Sequence, residues 1–171
     1  MAQTDEQEGG AIVWLDEEQQ DAWRGVVKLI TKLPATLDSD LQHNAGLTMY
    51  EYVVLALLSE SEGRTLRMSE LAAGTNSSLS RLSHVVSRLE KQGWVTRHVC
   101  PKDGRATQAM LTKSGTKKVV EAAPMHVRTV RELVVNAITP AQLRQLGTAS
   151  VKIGQRIDEW NDQRSANANG R

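Results

Sequence analysis

Apolar residues recur at helical spacing along most of the chain, broken by one short alternating stretch in the middle. A first helix is predicted from about Asp16 to Lys32, interrupted near Pro34 and resuming to Asn44, with Trp23, Val26, Val27 and Ile30 on one side. A second runs from Thr48 to Ser59 with Met49, Tyr52, Val53, Ala56 and Leu57 as its buried face. Asp16 with Gln19, Thr48 with Glu51 and Thr139 with Gln142 each set a capping oxygen three residues ahead of a Glu or Gln, and Thr112 is a plainer cap. The last two helices are predicted over Lys113 to Asn136, bent at Pro124, and over Pro140 to Trp160. The polar tail from Asn161 to Arg171 is expected to be disordered.

Between these arms, Met68 to Ala73 and Ser77 to Gln92 read as two helices joined by a tight turn at Gly74-Thr75-Asn76. Leu79, Leu82, Val85, Val86 and Leu89 define the inner side of the second. Its outer side then carries Ser80, Arg81, Ser83, His84, Ser87, Arg88 and Lys91, with Ser77 and Ser78 at its start. Solvent-facing helices normally mix Glu with Lys, whereas this one uses short serines of low helix propensity beside basic groups. Short hydroxyls let a helix approach base edges while the cations reach phosphates, which suits a recognition helix in a major groove. The alternating segments Trp94 to Val99 and Thr107 to Leu111 follow, joined by a loop with Asp103-Gly104, a hairpin signal, and with Lys102 and Arg105 at its tip. Helix plus basic hairpin reads as a winged helix-turn-helix whose wing can enter the adjacent minor groove.

Charge supports that reading. The formal net charge is only +1, yet residues 1–63 carry −9, residues 64–118 carry +8 and residues 119–171 carry +2. A basic segment inside a neutral chain is the footprint of a polyanion-binding surface.

These residues resemble the MarR family of bacterial transcription regulators. The resemblance rests on Met68-Ser69-Glu70-Leu71-Ala72, on the run from Ser87 to Arg97 through Arg88-Leu89-Glu90-Lys91-Gln92-Gly93-Trp94, and on Asp103-Gly104-Arg105-Ala106 leading to Leu111-Thr112-Lys113-Ser114-Gly115; it covers about residues 47–120. It implies an obligate homodimer with interlocked terminal helices and two winged domains on a pseudo-palindromic operator. It further implies that Arg105 is the wing arginine and Asp103 the acid that orients the wing. Many members bind small aromatic acids between the arms and the winged domain, so a small-molecule effector is an implied partner, although no residue pattern here spells out its pocket. Arg81 and His84 stand where relatives commonly carry Thr and Arg, so the operator preference is this chain's own.

The expected fold class is mainly α with a small β-wing: an N-terminal arm over residues 1–46, a winged helix-turn-helix over 47–112, dimerisation helices over 113–160 and a tail over 161–171. Trp14, Trp23, Val27, Leu146, Ile153, Ile157 and Trp160 are the expected dimer interface, since large aromatics dominate interface burial. The lone Cys100 excludes an internal disulfide, and as a redox switch it is weighed against an inert strand residue. His43, His84, His98 and His126 lack ligand spacing, and no nucleophile elbow, P-loop or dinucleotide fingerprint occurs, so neither metal, cofactor nor catalysis is expected. The longest apolar stretch, Tyr52 to Leu58, falls far short of the ~18 residues of a membrane span, and the acidic N-terminus lacks a signal-peptide core, so a cytoplasmic protein is expected.

The expected function is therefore a sequence-specific DNA-binding regulator, most plainly a repressor released by a ligand. Its rivals are a constitutive regulator without effector and a winged protein-interaction module in which the basic patch is incidental.

Overall fold

The computed structural model describes residues 12–100 and 103–169, with the side chains of residues 100, 103–105, 168 and 169 outside the description. Among the described residues six α-helices and three strands follow one another: α1 (Glu17–Ala45), α2 (Met49–Glu60), β1 (Thr65–Arg67), α3 (Met68–Gly74), α4 (Leu79–Lys91), β2 (Val95–Cys100), β3 (Asp103–Leu111), α5 (Lys113–Val130) and α6 (Pro140–Asn169). A 3₁₀ turn over Glu62–Arg64 precedes β1, and a π-helical turn over Arg131–Val135 follows α5.

The chain divides into two units, residues 1–36 and 37–171. In the first, the described part is the opening of α1, capped as predicted: the Gln19 amide donates to Asp16 at 2.8 Å and the Asp16 amide to Gln19 at 3.2 Å. Its large apolar residues, Trp14, Trp23, Val26, Val27 and Ile30 among them, are exposed, apart from the half-buried Leu33.

In the second unit the core is built from Leu41, Leu47, Val54, Leu55, Leu58, Leu71, Leu82, Val86, Leu89, Val95 and Ala109, all essentially inaccessible. Helix α2 packs against α3, α5 and β3 together. Its buried residues are therefore Tyr52, Val54, Leu55 and Leu58 rather than the single face Met49, Tyr52, Val53, Ala56 and Leu57 expected from periodicity. A helix enclosed on several sides has no one stripe to display. The Thr48–Glu51 capping box is present, with reciprocal bonds of 2.9 and 3.2 Å, and Asp38 accepts from the Met49 amide at 2.7 Å, tying the end of α1 to the start of α2.

The sheet has the order β1-β3-β2 and is antiparallel, with Leu66 opposite Ala109 and Val95 opposite Leu111. Strand β1 was not anticipated. At three residues it is too short to show alternation, and it exists because β3 offers it a partner.

Two prolines expected to interrupt or bend helices do not end them: α1 runs through Pro34 and α5 through Pro124. Each proline removes one bond, to the carbonyl of Ile30 or Val120. Both of those residues are exposed, so water can satisfy the freed acceptor. The irregularity on the C-terminal side lies instead at Arg131–Val135. Helix α6 continues past Trp160 to Asn169, so the segment expected to be disordered is helical as far as it is described. Its composition there includes Gln163, Arg164 and Ala166, residues of good helix propensity, and the Ser165 hydroxyl bonds back to the Asn161 carbonyl at 2.9 Å.

Gly115 explains a local constraint at the entry of α5. A Cβ there would lie 2.1 Å from the Trp94 carbonyl oxygen, so only glycine lets the helix start this close to β2. Thr112 completes the joint, accepting from the Gly115 amide at 3.0 Å and donating to the Gly93 carbonyl at 2.7 Å. Gly93 itself turns α4 into β2 with φ +71°, a conformation that L side chains rarely adopt.

Candidate nucleic-acid interface

Helix α4 is held at its start by local chemistry. Ser78 is the N-cap, accepting from the Arg81 amide at 3.2 Å. Ser77 bonds Thr75 at 3.0 Å and also the Tyr50 hydroxyl, which lies 3.1 Å from Thr75. Ser77 and Ser78, expected among the DNA contacts, thus already serve the helix-turn-helix joint. Asn76 in that turn takes φ +47°, a conformation asparagine tolerates better than most residues.

Leu82, Val85, Val86 and Leu89 are buried, as expected. Leu79 is not. It is 55% exposed, against 0% for Leu82. At 100° per residue Leu79 lies about 60° round the helix from Leu82, beyond the stripe that α3 and β2 cover. The inner face is thus one residue narrower than periodicity predicts.

The outer surface of α4 divides into two edges. On the wing-ward edge Leu79, Ser83 and Ser87 repeat at i, i+4 and i+8. Arg97 on β2 reaches across to it. Its guanidinium bonds Glu90 at 2.8 Å through Nε and lies 2.6 Å from the same carboxylate through Nη2. It also donates to Ser83 at 3.3 Å and Ser87 at 3.0 Å, while the Arg97 backbone amide donates to Glu90 at 3.0 Å. Both charged side chains are about two-thirds buried, 32% and 28% exposed. Ser83 and Ser87, expected to face DNA, are half-buried and engaged by Arg97. Arg97 and Glu90 enter the sequence reading only within the run from Ser87 to Arg97 and not as site residues. Opposite charges flanking the Gly93 turn were the available signal.

The other edge is basic. Arg81 stacks over the Tyr50 ring, its guanidinium carbon 4.9 Å from the centroid. The Arg88 Nε donates to Glu51 at 3.1 Å, and Glu51 simultaneously caps α2 through Thr48. Ser80, His84 and Lys91 are exposed between the edges, and no partner is recorded for their side chains among the described residues. Arg81, His84 and Arg88 line a cleft of about 610 Å³ with Asp38, Thr48, Tyr50 and Ser80. The arrangement presents cations held at defined positions rather than as free tethers.

The wing continues from this surface. Strands β2 and β3 pair up to Val99 opposite Thr107, with a register irregularity between Val99 and Cys100. Lys102 lies outside the described residues, as do the side chains of Cys100, Asp103 and Arg105, so what is expected of them rests on the sequence. The expected interface residues of the arms are all exposed: Trp14 and Trp23 as already noted, Val27 at the margin, and Leu146, Ile153, Ile157 and Trp160 on α6. No group of three or more potential ligand side chains suited to a metal ion occurs among the described residues.

The MarR family profile matches residues 45–106, the region from the end of α1 into the wing. The HTH-type transcriptional repressor Rv2887 of Mycobacterium tuberculosis is 32% identical over 109 residues, covering 64% of this chain and 76% of that protein. Among solved structures, Sco3205 of Streptomyces coelicolor, a MarR family transcriptional regulator in complex with DNA, superposes with TM-score 0.82 at 42% identity, covering 84% of this chain and 91% of its own. AbsC, a MarR family regulator of the same organism, superposes with TM-score 0.82 at 38% identity, covering 86% and 99%. With its winged helix-turn-helix, its basic α4 and relatives of this identity and coverage, the chain belongs to the MarR family of transcriptional regulators.

Proposed function

We propose that this regulator acts in the cytoplasm as a homodimeric repressor that seats one α4 in each of two successive major grooves of an inverted-repeat operator. The observation that carries the reading is the exposed surface of α4, where Ser80, His84 and Lys91 face outward beside the Tyr50-stacked guanidinium of Arg81. The solved DNA complex of Sco3205 and the repressor name of the mycobacterial relative support it. Arg81 and His84 choose the bases, Arg88 and Lys91 meet phosphates, and Lys102 and Arg105 carry the wing to the neighbouring minor groove, with Asp103 orienting it.

The dimer follows from surface chemistry. MarR proteins are dimers, and this chain exposes Trp14, Trp23 and Val27 in the first unit and Leu146, Ile153, Ile157 and Trp160 on α6. Apolar surface of that extent left in water is an aggregation hazard, and a twofold mate removes it. Twofold symmetry then places the two recognition helices about 34 Å apart, one turn of DNA.

Selection of bound duplexes from genomic fragments by the purified full-length protein, at fixed salt, tests the reading. Enrichment of one inverted repeat, with affinity that falls steeply as salt rises, is the expected result. Retention of all fragments alike, or of none, would overturn it.

A further inference from the structure

Leu79 occupies the first turn of α4, the part of a recognition helix that comes nearest to base edges, and yet it is apolar and 55% exposed. A single exposed leucine is unremarkable on a protein surface. Its neighbours make this one informative. Along the wing-ward edge the next two residues at helical spacing, Ser83 and Ser87, have their hydroxyls held by Arg97. Leu79 borders an open cleft of about 340 Å³ lined by Arg67, Met68, Ser83, Arg97 and Ala106 among others, a mixed surface on which the leucine still leaves more than half of itself in water. Core packing does not require it either, since Leu82, Val85, Val86 and Leu89 complete the inner stripe.

We propose that Leu79 reads a thymine through its C5-methyl group, one base in each half-site, and so sets operator specificity on the wing-ward side of α4. The Ser83 and Ser87 oxygens accept from Arg97, which holds both half-buried hydroxyls toward β2, and the exposed group on this edge at the helix start, Leu79, has no donor or acceptor. The apolar feature that the major groove presents is the thymine methyl. The basic edge with Arg81 reads hydrogen-bonding groups, and the wing-ward edge reads a methyl. The inference rests on the proposed seating of α4 in the major groove.

The test replaces thymines with deoxyuridine, which removes the methyl and leaves base pairing intact. Duplexes selected from a randomised library by the full-length protein are scanned one symmetry-related pair at a time, with affinity read by fluorescence anisotropy for the wild type, Leu79→Ala and Leu79→Met. Losing one buried methyl contact costs about fourfold in affinity per half-site, and about 15-fold for the pair. The expected result is one thymine pair at which the wild type and Leu79→Met lose affinity on deoxyuridine substitution while Leu79→Ala, already weakened, does not change. Identical deoxyuridine profiles for wild type and Leu79→Ala, or a wild-type profile with no sensitive pair on a tightly bound duplex, would overturn the assignment while leaving the DNA-binding reading in place. Failure of the wild type to enrich any duplex would overturn both. Should Leu79→Ala fold poorly, Leu79→Gln, which keeps the helix and removes the apolar contact, takes its place in the scan with the same expected and overturning results.

Discussion

The Arg97 guanidinium on β2 lies 2.6 Å from the Glu90 carboxylate at the end of α4. Through this pair, and through Ser83 and Ser87, the first wing strand and the recognition helix are joined as one body. An arginine suits the position because its planar fork offers five donors in fixed directions, enough for two contacts to the carboxylate and one to each hydroxyl, where an ammonium has three.

Replacing Arg97 by alanine is expected to cost about 1–2 kcal/mol of stability, because half-buried acceptors lose a charge-assisted donor. In a chain of this size that lowers the thermal midpoint by about 2–8 °C. Arg97→Lys should recover only part of it. A double-mutant cycle with Glu90→Ala checks the coupling, and additive effects would show that the pair contributes nothing jointly.

Arg81 is expected to act as a base reader. Arg81→Ala should cost about 1–3 kcal/mol and relax preference at one base position in each half-site. Because Tyr50 holds the guanidinium by stacking, Tyr50→Leu should reproduce a fraction of that relaxation without removing the charge. Binding across a library of operator variants is the readout. Uniform weakening of every variant would make Arg81 a phosphate anchor.

Gly115→Ala is expected to destabilise the fold by about 3 kcal/mol, since the new Cβ would meet backbone at Trp94 rather than a side chain able to move aside. Urea unfolding of the variant checks this, and an unchanged midpoint would show that α5 can shift freely on β2.

His126 supplies a pH dependence. Its ring packs on Tyr52 at 4.6 Å, and its Nδ1 is buried with no hydrogen-bond partner among the described residues. Desolvation holds its pKa below the ordinary 6.5, outweighing the opposing pull of Asp40. The native state therefore takes up the proton less readily than the unfolded chain. Stability contributed by neutral His126 is present above pH 6.5 and is lost as pH falls from there through the lowered native pKa. Chemical denaturation between pH 8 and 5 should show this decline in the wild type and a flatter profile in His126→Gln. Parallel profiles would assign the decline to other groups.

What was legible in the sequence was local. The capping pairs Asp16 with Gln19, Thr48 with Glu51 and Thr139 with Gln142 all form as read, because a cap is decided within four residues. The helix-turn-helix and its hairpin were legible for the same reason. Tertiary surroundings set what was missed. Val54, Leu55 and Leu58 are buried because α2 is enclosed, β1 exists because β3 accepts it, and Leu79 is exposed because neighbouring elements stop short of it. The Arg97 network joins residues across the Gly93 turn, and only the fold brings Ser83 and Ser87 within its reach.

Sedimentation velocity of the full-length chain mixed with its selected inverted repeat tests most directly whether two copies read one operator. A complex of two 18.8 kDa chains on one duplex, with a single half-site bound far more weakly, is the predicted result. One chain per duplex, or equal affinity for the half-site and the full repeat, would contradict it.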